Sequence, residues 1–152
     1  MKQLKRIFPI VAMTLLLIIV SCSKDSIRPV GFDRMSECHA GTAWDSTKLT
    51  NALIGEWEWE YLSCYSGDDE GDNSIYQGLV IEFKSDYTLE VSENGVVTQN
   101  STWEWKEGAV YYTGVKATPS VGQLYGVMLF CGGRVEFRGS YTDVCDNIFK
   151  RI

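Results

Sequence analysis

Few side chains in this 152-residue chain have the types and spacing that a catalytic site needs. The one histidine, His39, stands beside Cys38, and no motif places a base next to a serine or cysteine nucleophile. General acid-base and nucleophilic catalysis both require such partners within hydrogen-bond reach. We therefore expect a protein that is not an enzyme, with His39 as a solvated side chain of a linker.

Carboxylates are the other groups that could do chemistry, as ligands of a hard cation. The loop at 68–73 carries alternating acids that could converge on Ca²⁺. An EF-hand would place glycine where Asn73 stands and glutamate where Leu79 stands, so we expect a solvated acidic loop. Asp143 and Asp146 are interpreted as turn residues. We predict no metal and no cofactor.

The charge balance disfavours a nucleic-acid partner. The chain has 14 Lys and Arg against 20 Asp and Glu, a formal charge of −6. Proteins that hold a phosphate backbone do so with clusters of Lys and Arg, which are missing here. We therefore expect no nucleic-acid binding.

The amino terminus resembles a bacterial lipoprotein signal. Three cations in the first six residues precede an apolar run at 7–20, which is shorter than the roughly 20 residues of a spanning helix. Small Ser21 then precedes Cys22. In lipoproteins the peptide is cut before this cysteine, so the resemblance implies a signal peptide at 1–21 and a diacylglycerol and palmitate anchor on Cys22. An uncleaved amphipathic anchor is the alternative.

Residues 22–44 have the composition of a flexible tether, because Ser, Lys, Asp, Arg, Pro and Gly dominate and no hydrophobic period emerges. The sequence at 23–25 resembles the short export signals of Bacteroidetes lipoproteins, although Ser26 stands where a second acid is expected. The resemblance implies an outer-membrane lipoprotein that faces the periplasm or the cell exterior.

Beyond the tether, hydrophobic residues recur with a period of two. In residues 55–61, Gly, Trp, Trp and Tyr alternate with three glutamates, so a strand sends the aromatic residues to one face and the acids to the other. The outward acids Glu56, Glu58 and Glu60 either keep the protein soluble or form a recognition patch for a basic partner. The eight predicted strands span 54–64, 78–84, 87–92, 96–106, 109–116, 123–131, 134–140 and 148–152.

Short turns join these strands, and one short helical turn at 45–53 precedes the first. Eight consecutive strands with one apolar face close naturally into an antiparallel up-and-down barrel, because closure removes the exposed edges. A two-sheet sandwich would bury the same faces and is the alternative.

The residues at 53–57 resemble the Gly-x-Trp signature of lipocalins, and residues 45–152 are similar to the lipocalin-like lipoproteins of Bacteroidetes. In lipocalins this tryptophan lies at the closed end of the barrel beneath an Arg or Lys from the last strand. The resemblance therefore assigns Gly55 and Trp57 to the signature and Arg151 to the stacked cation. A core tryptophan beside a glycine in any β-protein is the alternative interpretation.

Four cysteines besides the anchor favour two disulfides in an exported chain, with four free thiols as the alternative. Alternating strand directions place Cys64 and Cys145 at the top of neighbouring strands, and Cys131 at the bottom near Cys38. We therefore predict Cys64–Cys145 and Cys38–Cys131 bridges.

Two functions are compatible with this architecture. The first is a tethered binding protein that holds a small apolar or amphipathic molecule in the upper half of the barrel, lined by Tyr61, Ser63, Leu79, Val91 and Tyr125. The second is a solid scaffold whose loops bind a protein, as an inhibitor or a subunit of a surface complex. An eight-stranded barrel is just wide enough for side chains, so its aromatic residues could fill it.

Overall fold

The structure is a computed structural model that describes residues 34–64, 74–106 and 113–152. The predicted leader at 1–21, the anchor Cys22 and the acidic loop at 68–73 lie outside the described residues. The described ranges hold helices α1 (Met35–Ala40) and α2 (Ser46–Leu53). Their strands are β1 (Gly55–Ser63), β2 (Leu79–Phe83), β3 (Thr88–Glu93), β4 (Val96–Lys106), β5 (Gly114–Thr118), β6 (Val127–Cys131), β7 (Arg134–Arg138) and β8 (Asp146–Arg151).

The strands form one antiparallel sheet in the order β5-β4-β3-β2-β1-β8-β7-β6. The first and last strands are hydrogen-bonded neighbours, with Trp57 opposite Arg151. The outer strands β5 and β6 meet at a seam, where the Met128 N–H donates to the Thr113 carbonyl at 2.9 Å. The nearly closed barrel is therefore confirmed, and the single sheet excludes the sandwich.

Most predicted strands agree with the structure to within two residues, but those beside the seam do not. Residues 123–126 were predicted within a strand, whereas a 3₁₀ turn at Gly122–Leu124 delays β6 until Val127. Gly126 has φ +111°, and a Cβ there would lie 2.0 Å from the Arg138 carbonyl oxygen. The predicted strand at 109–116 begins at Gly114 among the described residues, and its part at 109–112 lies outside them.

Chain direction places the two ends of the barrel as predicted. The β1–β2, β3–β4, β5–β6 and β7–β8 connections lie at one end, which we call the open end. Helix α2 enters β1 at the other, closed end. Its predicted start is confirmed, because Asp45 caps it by accepting the Lys48 N–H at 2.8 Å.

The expectation of a flexible tether through residue 44 is wrong for α1. Met35 is 2% exposed and packs with Val127 and Leu129 of β6. Because α1 is six residues long and buries only Met35, it leaves no periodic hydrophobic pattern that sequence analysis could detect. Within the described ranges, neither helix has the length and apolar character needed to cross a membrane.

Candidate functional site

The closed end contains the contact that the sequence predicted between Arg151 and Trp57. The Arg151 guanidinium carbon lies 4.6 Å from the Trp57 ring centroid, a cation–π distance. Arg151 also donates to the Ile54 carbonyl at 3.1 Å and to the Ala52 carbonyl. Trp57 donates from Nε1 to the Leu53 carbonyl at 2.7 Å, so the pair satisfies the carbonyl groups that the end of α2 leaves free.

Of the five residues predicted to line an internal ligand site, the structure places two in the interior. Leu79 and Val91 are 2% and 5% exposed and belong to the barrel core. Tyr125 is 44% exposed and has Lys106 Nζ at 5.8 Å from its ring centroid. The five side chains therefore do not come together as one pocket.

Tyr61 and Ser63 leave the predicted face because β1 contains a β-bulge. The register against β8 shifts between Trp59 and Tyr61. A bulge inserts one residue, which reverses the faces of the residues after it. Leu62 therefore joins the interior core, and Tyr61, although 4% exposed, packs outside that core.

Large side chains fill the barrel interior. The strands contribute aromatic residues that are at most 5% exposed and lie in one continuous core with Leu, Ile, Val and Met: Trp57, Trp59, Phe83, Trp103, Phe137 and Phe149. Edge-to-face contacts join Phe83 to Trp103 and Phe137 to Phe149 at 5.7 and 5.8 Å. Trp59 donates from Nε1 to Asn147 Oδ1 at 3.2 Å, so this indole N–H has a partner inside the barrel.

Both predicted disulfides are confirmed. At the open end of the barrel, Cys64–Cys145 joins the residue after β1 to the residue before β8, with 4.2 Å between the Cα atoms. Cys38–Cys131 joins α1 to the closed end of β6, with 5.6 Å between the Cα atoms. One bridge therefore holds each end of the barrel.

The expectation that His39 is a solvated linker residue is wrong. Its Nδ1 accepts the Phe130 backbone N–H at 3.1 Å, and its ring stacks on Trp44 with centroids 5.1 Å apart. Burial lowers the pKa of His39 below the ordinary value. His39 thus has a packing role at the closed end, which the linker composition around it concealed.

Two of the three outward glutamates of β1 are partnered across the sheet. Glu58 accepts Lys150 Nζ at 2.8 Å, and Glu60 accepts Arg134 Nε at 2.6 Å and Nη2 at 2.9 Å. Ion pairs between neighbouring strands stabilise a sheet, and they leave these two carboxylates less available to a basic partner. The pairs therefore favour a role in solubility and strand pairing over a recognition patch.

A buried carboxylate in β7 escaped the sequence analysis. Glu136 is 0% exposed and accepts two hydrogen bonds from Arg138, at 2.8 and 2.9 Å. Burial raises the pKa of Glu136, and the hydrogen bonds from Arg138 oppose that rise. Arg138 also donates to Ser36 Oγ of α1 at 2.6 Å. The only available signal was an acid with an arginine two residues later on the same strand face.

Exposed apolar side chains are concentrated at the open end. The β1–β2 and β7–β8 connections and the start of β4 carry residues that are 39 to 65% exposed: Ile75, Val96, Val97, Tyr141 and Val144. We call these five residues the open-end apolar set. Exposed apolar surface grouped in this way is typical of interaction sites.

The described ranges contain no cluster of three or more His, Cys, Asp or Glu side chains arranged to hold a metal ion. Comparison with known proteins gives no assignment either, since the chain matches no family model, no curated protein and no solved structure.

Proposed function

We propose that this chain is a non-enzymatic, membrane-anchored binding protein whose solid barrel is a scaffold for a protein partner that docks at the open end. The main support for this proposal is that side chains fill the interior of the barrel. A small-molecule carrier needs a cavity on the order of 300 Å³ or more, and here aromatic side chains from β1, β2, β4, β7 and β8 occupy that space.

The open-end apolar set supplies the docking surface in this proposal. Its residues come from the β1–β2 and β7–β8 connections and from the start of β4, which strand direction brings to the same end. Exposed aromatic anchors such as Tyr141 contribute much of the binding energy in protein interfaces, and aliphatic side chains such as Val97 add apolar area that a partner removes from water. The Cys64–Cys145 bridge holds two of these connections together, which limits the entropy lost on binding.

The proposal includes a lipid on Cys22 at the outer membrane, supported by the leader sequence. The Cys38–Cys131 bridge fixes residue 38 at the closed end, and the roughly 16 peptide units from residue 22 to residue 38 reach at most about 55 Å. Anchoring through Cys22 would therefore keep the closed end within this distance of the membrane.

Site-specific photo-crosslinking in cells that make this protein tests the docking end. A crosslinking amino acid replaces Val97 at the open end or, as the control, Tyr87 at the closed end, which are 50% and 51% exposed. We expect a discrete crosslinked protein from position 97 and none from position 87. The proposal is wrong if position 97 gives no crosslink or if both positions give the same product.

A ligand titration separates this scaffold from the carrier. Fatty acids, retinoids, haem and sterols added to the purified full-length chain should leave its tryptophan emission unchanged, because Trp59 and Trp103 are already packed against protein. A saturable change in tryptophan emission with any of these ligands would instead favour a small-molecule carrier whose barrel opens to admit the ligand.

A further inference from the structure

We propose that the closed end holds a second, separate binding site, for a small aromatic carboxylate. The site is a cavity of about 280 Å³ between the two helices and the β6–β7 hairpin, near the lower limit of small-molecule pockets. It lies at the end opposite the proposed protein-docking surface, so the two proposals stand independently.

Aromatic rings form the apolar part of the cavity lining. Phe130 lies between two tryptophans, with ring centroids 5.4 Å from Trp44 and 6.1 Å from Trp57. Aromatic pairs prefer offset and tilted arrangements, and Phe130 is tilted by 37° and 51° to these two rings. The lining therefore favours a planar, apolar ring of modest size.

Arg151 gives the cavity its charge. Lys84, Lys116, Arg134, Arg138 and Lys150 each face a carboxylate, whereas Arg151 has none within ion-pair distance among the described residues. Its hydrogen bonds go to the Ile54 and Ala52 carbonyls, which are neutral. A guanidinium has five N–H donors, so donors remain for a ligand.

The second arginine in the lining does not supply this charge. Arg134 is held by two hydrogen bonds to Glu60, so its charge is already matched. The Arg151 guanidinium carbon lies over the Trp57 ring, and the N–H donors of a guanidinium lie in its own plane. An in-plane fork of this kind recognises a carboxylate better than a neutral group. A carboxylate attached to an aromatic ring satisfies both features of the cavity.

The test uses three probes of similar size on the purified full-length chain. Benzoate carries both features, benzamide lacks the charge, and cyclohexanecarboxylate lacks the aromatic ring. We expect saturable shifts of the Trp44 and Trp57 indole N–H signals with benzoate, and affinities at least tenfold lower for both other probes. Equal binding of benzoate and benzamide, or no saturable binding of benzoate, would overturn the proposal.

Matched variants locate the site without removing Arg151, which also supports α2. Ala52→Leu adds a larger side chain inside the cavity, and Ala40→Leu adds the same side chain at an exposed position outside it. We expect benzoate affinity to fall at least tenfold in Ala52→Leu and to stay unchanged in Ala40→Leu, with both variants folded by circular dichroism. Unchanged affinity in a folded Ala52→Leu variant would place any benzoate binding elsewhere and refute the assignment.

Discussion

At the scale of single residues, Gly55 allows both an unusual backbone conformation and the close approach of the Arg151 side chain. Its φ of +128° lies in a region that residues with a side chain rarely adopt, and a Cβ there would lie 3.0 Å from Arg151 Nη1. We expect Gly55→Ala to lower the free energy of unfolding by about 1 to 3 kcal/mol through this strain and crowding. Urea denaturation measures the change.

Gly132 provides the control for that measurement. It has φ +54° in the β6–β7 turn, and no atom lies within 4 Å of a Cβ built there. Gly132→Ala therefore adds only the cost of the left-handed backbone, about 1 kcal/mol. A loss in Gly55→Ala no greater than in Gly132→Ala would contradict a role for the Arg151 contact.

His39 makes stability depend on pH. Because burial lowers its pKa in the folded state, the unfolded chain binds a proton more readily below the ordinary pKa of about 6.5. The contribution of His39 is therefore present above that pH and is lost as pH falls toward the folded-state pKa. His39→Gln keeps an acceptor for the Phe130 N–H but does not titrate.

Unfolding free energies of both proteins, measured between about pH 5 and 8, should therefore differ in slope. We expect the native chain to gain stability relative to His39→Gln as pH rises through this window. Parallel curves would show that His39 titrates alike in both states. Glu136 is present in both proteins, so its opposite dependence cancels in the difference.

At the scale of secondary structure elements, the disulfide at the open end ties β1 to the segment before β8. The two cysteines are 81 residues apart, so the bridge removes much conformational freedom from the unfolded chain. We expect the double variant Cys64→Ser/Cys145→Ser to lose about 2 to 4 kcal/mol of unfolding free energy in denaturant titrations. Non-reducing peptide mapping should join Cys64 to Cys145, and a Cys64–Cys131 peptide would contradict the structure.

Strand order and disulfide pairing could be predicted because both depend on regular alternation. A period of two fixed the inward face of β1 as far as Trp59, and chain direction placed each cysteine at an end. The pocket residues could not be predicted in the same way. A single extra residue between Trp59 and Leu62 turned Tyr61 outward, and nothing in the local composition distinguishes that bulge from a regular strand.

The closed end was predicted only in part for a related reason. The stacking of Arg151 on Trp57 follows from strand closure, because the two residues are opposite each other in the β1–β8 ladder. The packing of Met35, His39 and Trp44 depends on contacts between segments about 90 residues apart, with His39 bound to Phe130. Such contacts leave no periodic signal in a single sequence.

At the scale of the whole molecule, the proposed lipid anchor would decide where the barrel acts. If Cys22 carries a lipid, then Cys22→Ser should release the full-length protein from membranes, because each buried methylene of the acyl chains contributes about 0.8 kcal/mol. Fractionation without detergent measures the distribution. A Cys22→Ser protein that stays with the membrane fraction would contradict the lipid anchor.

The seam between β5 and β6 divides the molecule into parts of unequal local stability. Every other neighbouring pair of strands forms a ladder of four or more residue pairs, while the described residues join β5 to β6 mainly through the Met128 N–H and the Thr113 carbonyl. Backbone amides that open with the least loss of contacts exchange with deuterium first. We expect β5 and β6 to exchange before β1 and β8 in mass spectrometry, and uniform exchange would contradict this order. Local opening of the barrel would then separate β5 from β6. This opening would expose the unpaired edges of both strands, to which a strand of another chain could add.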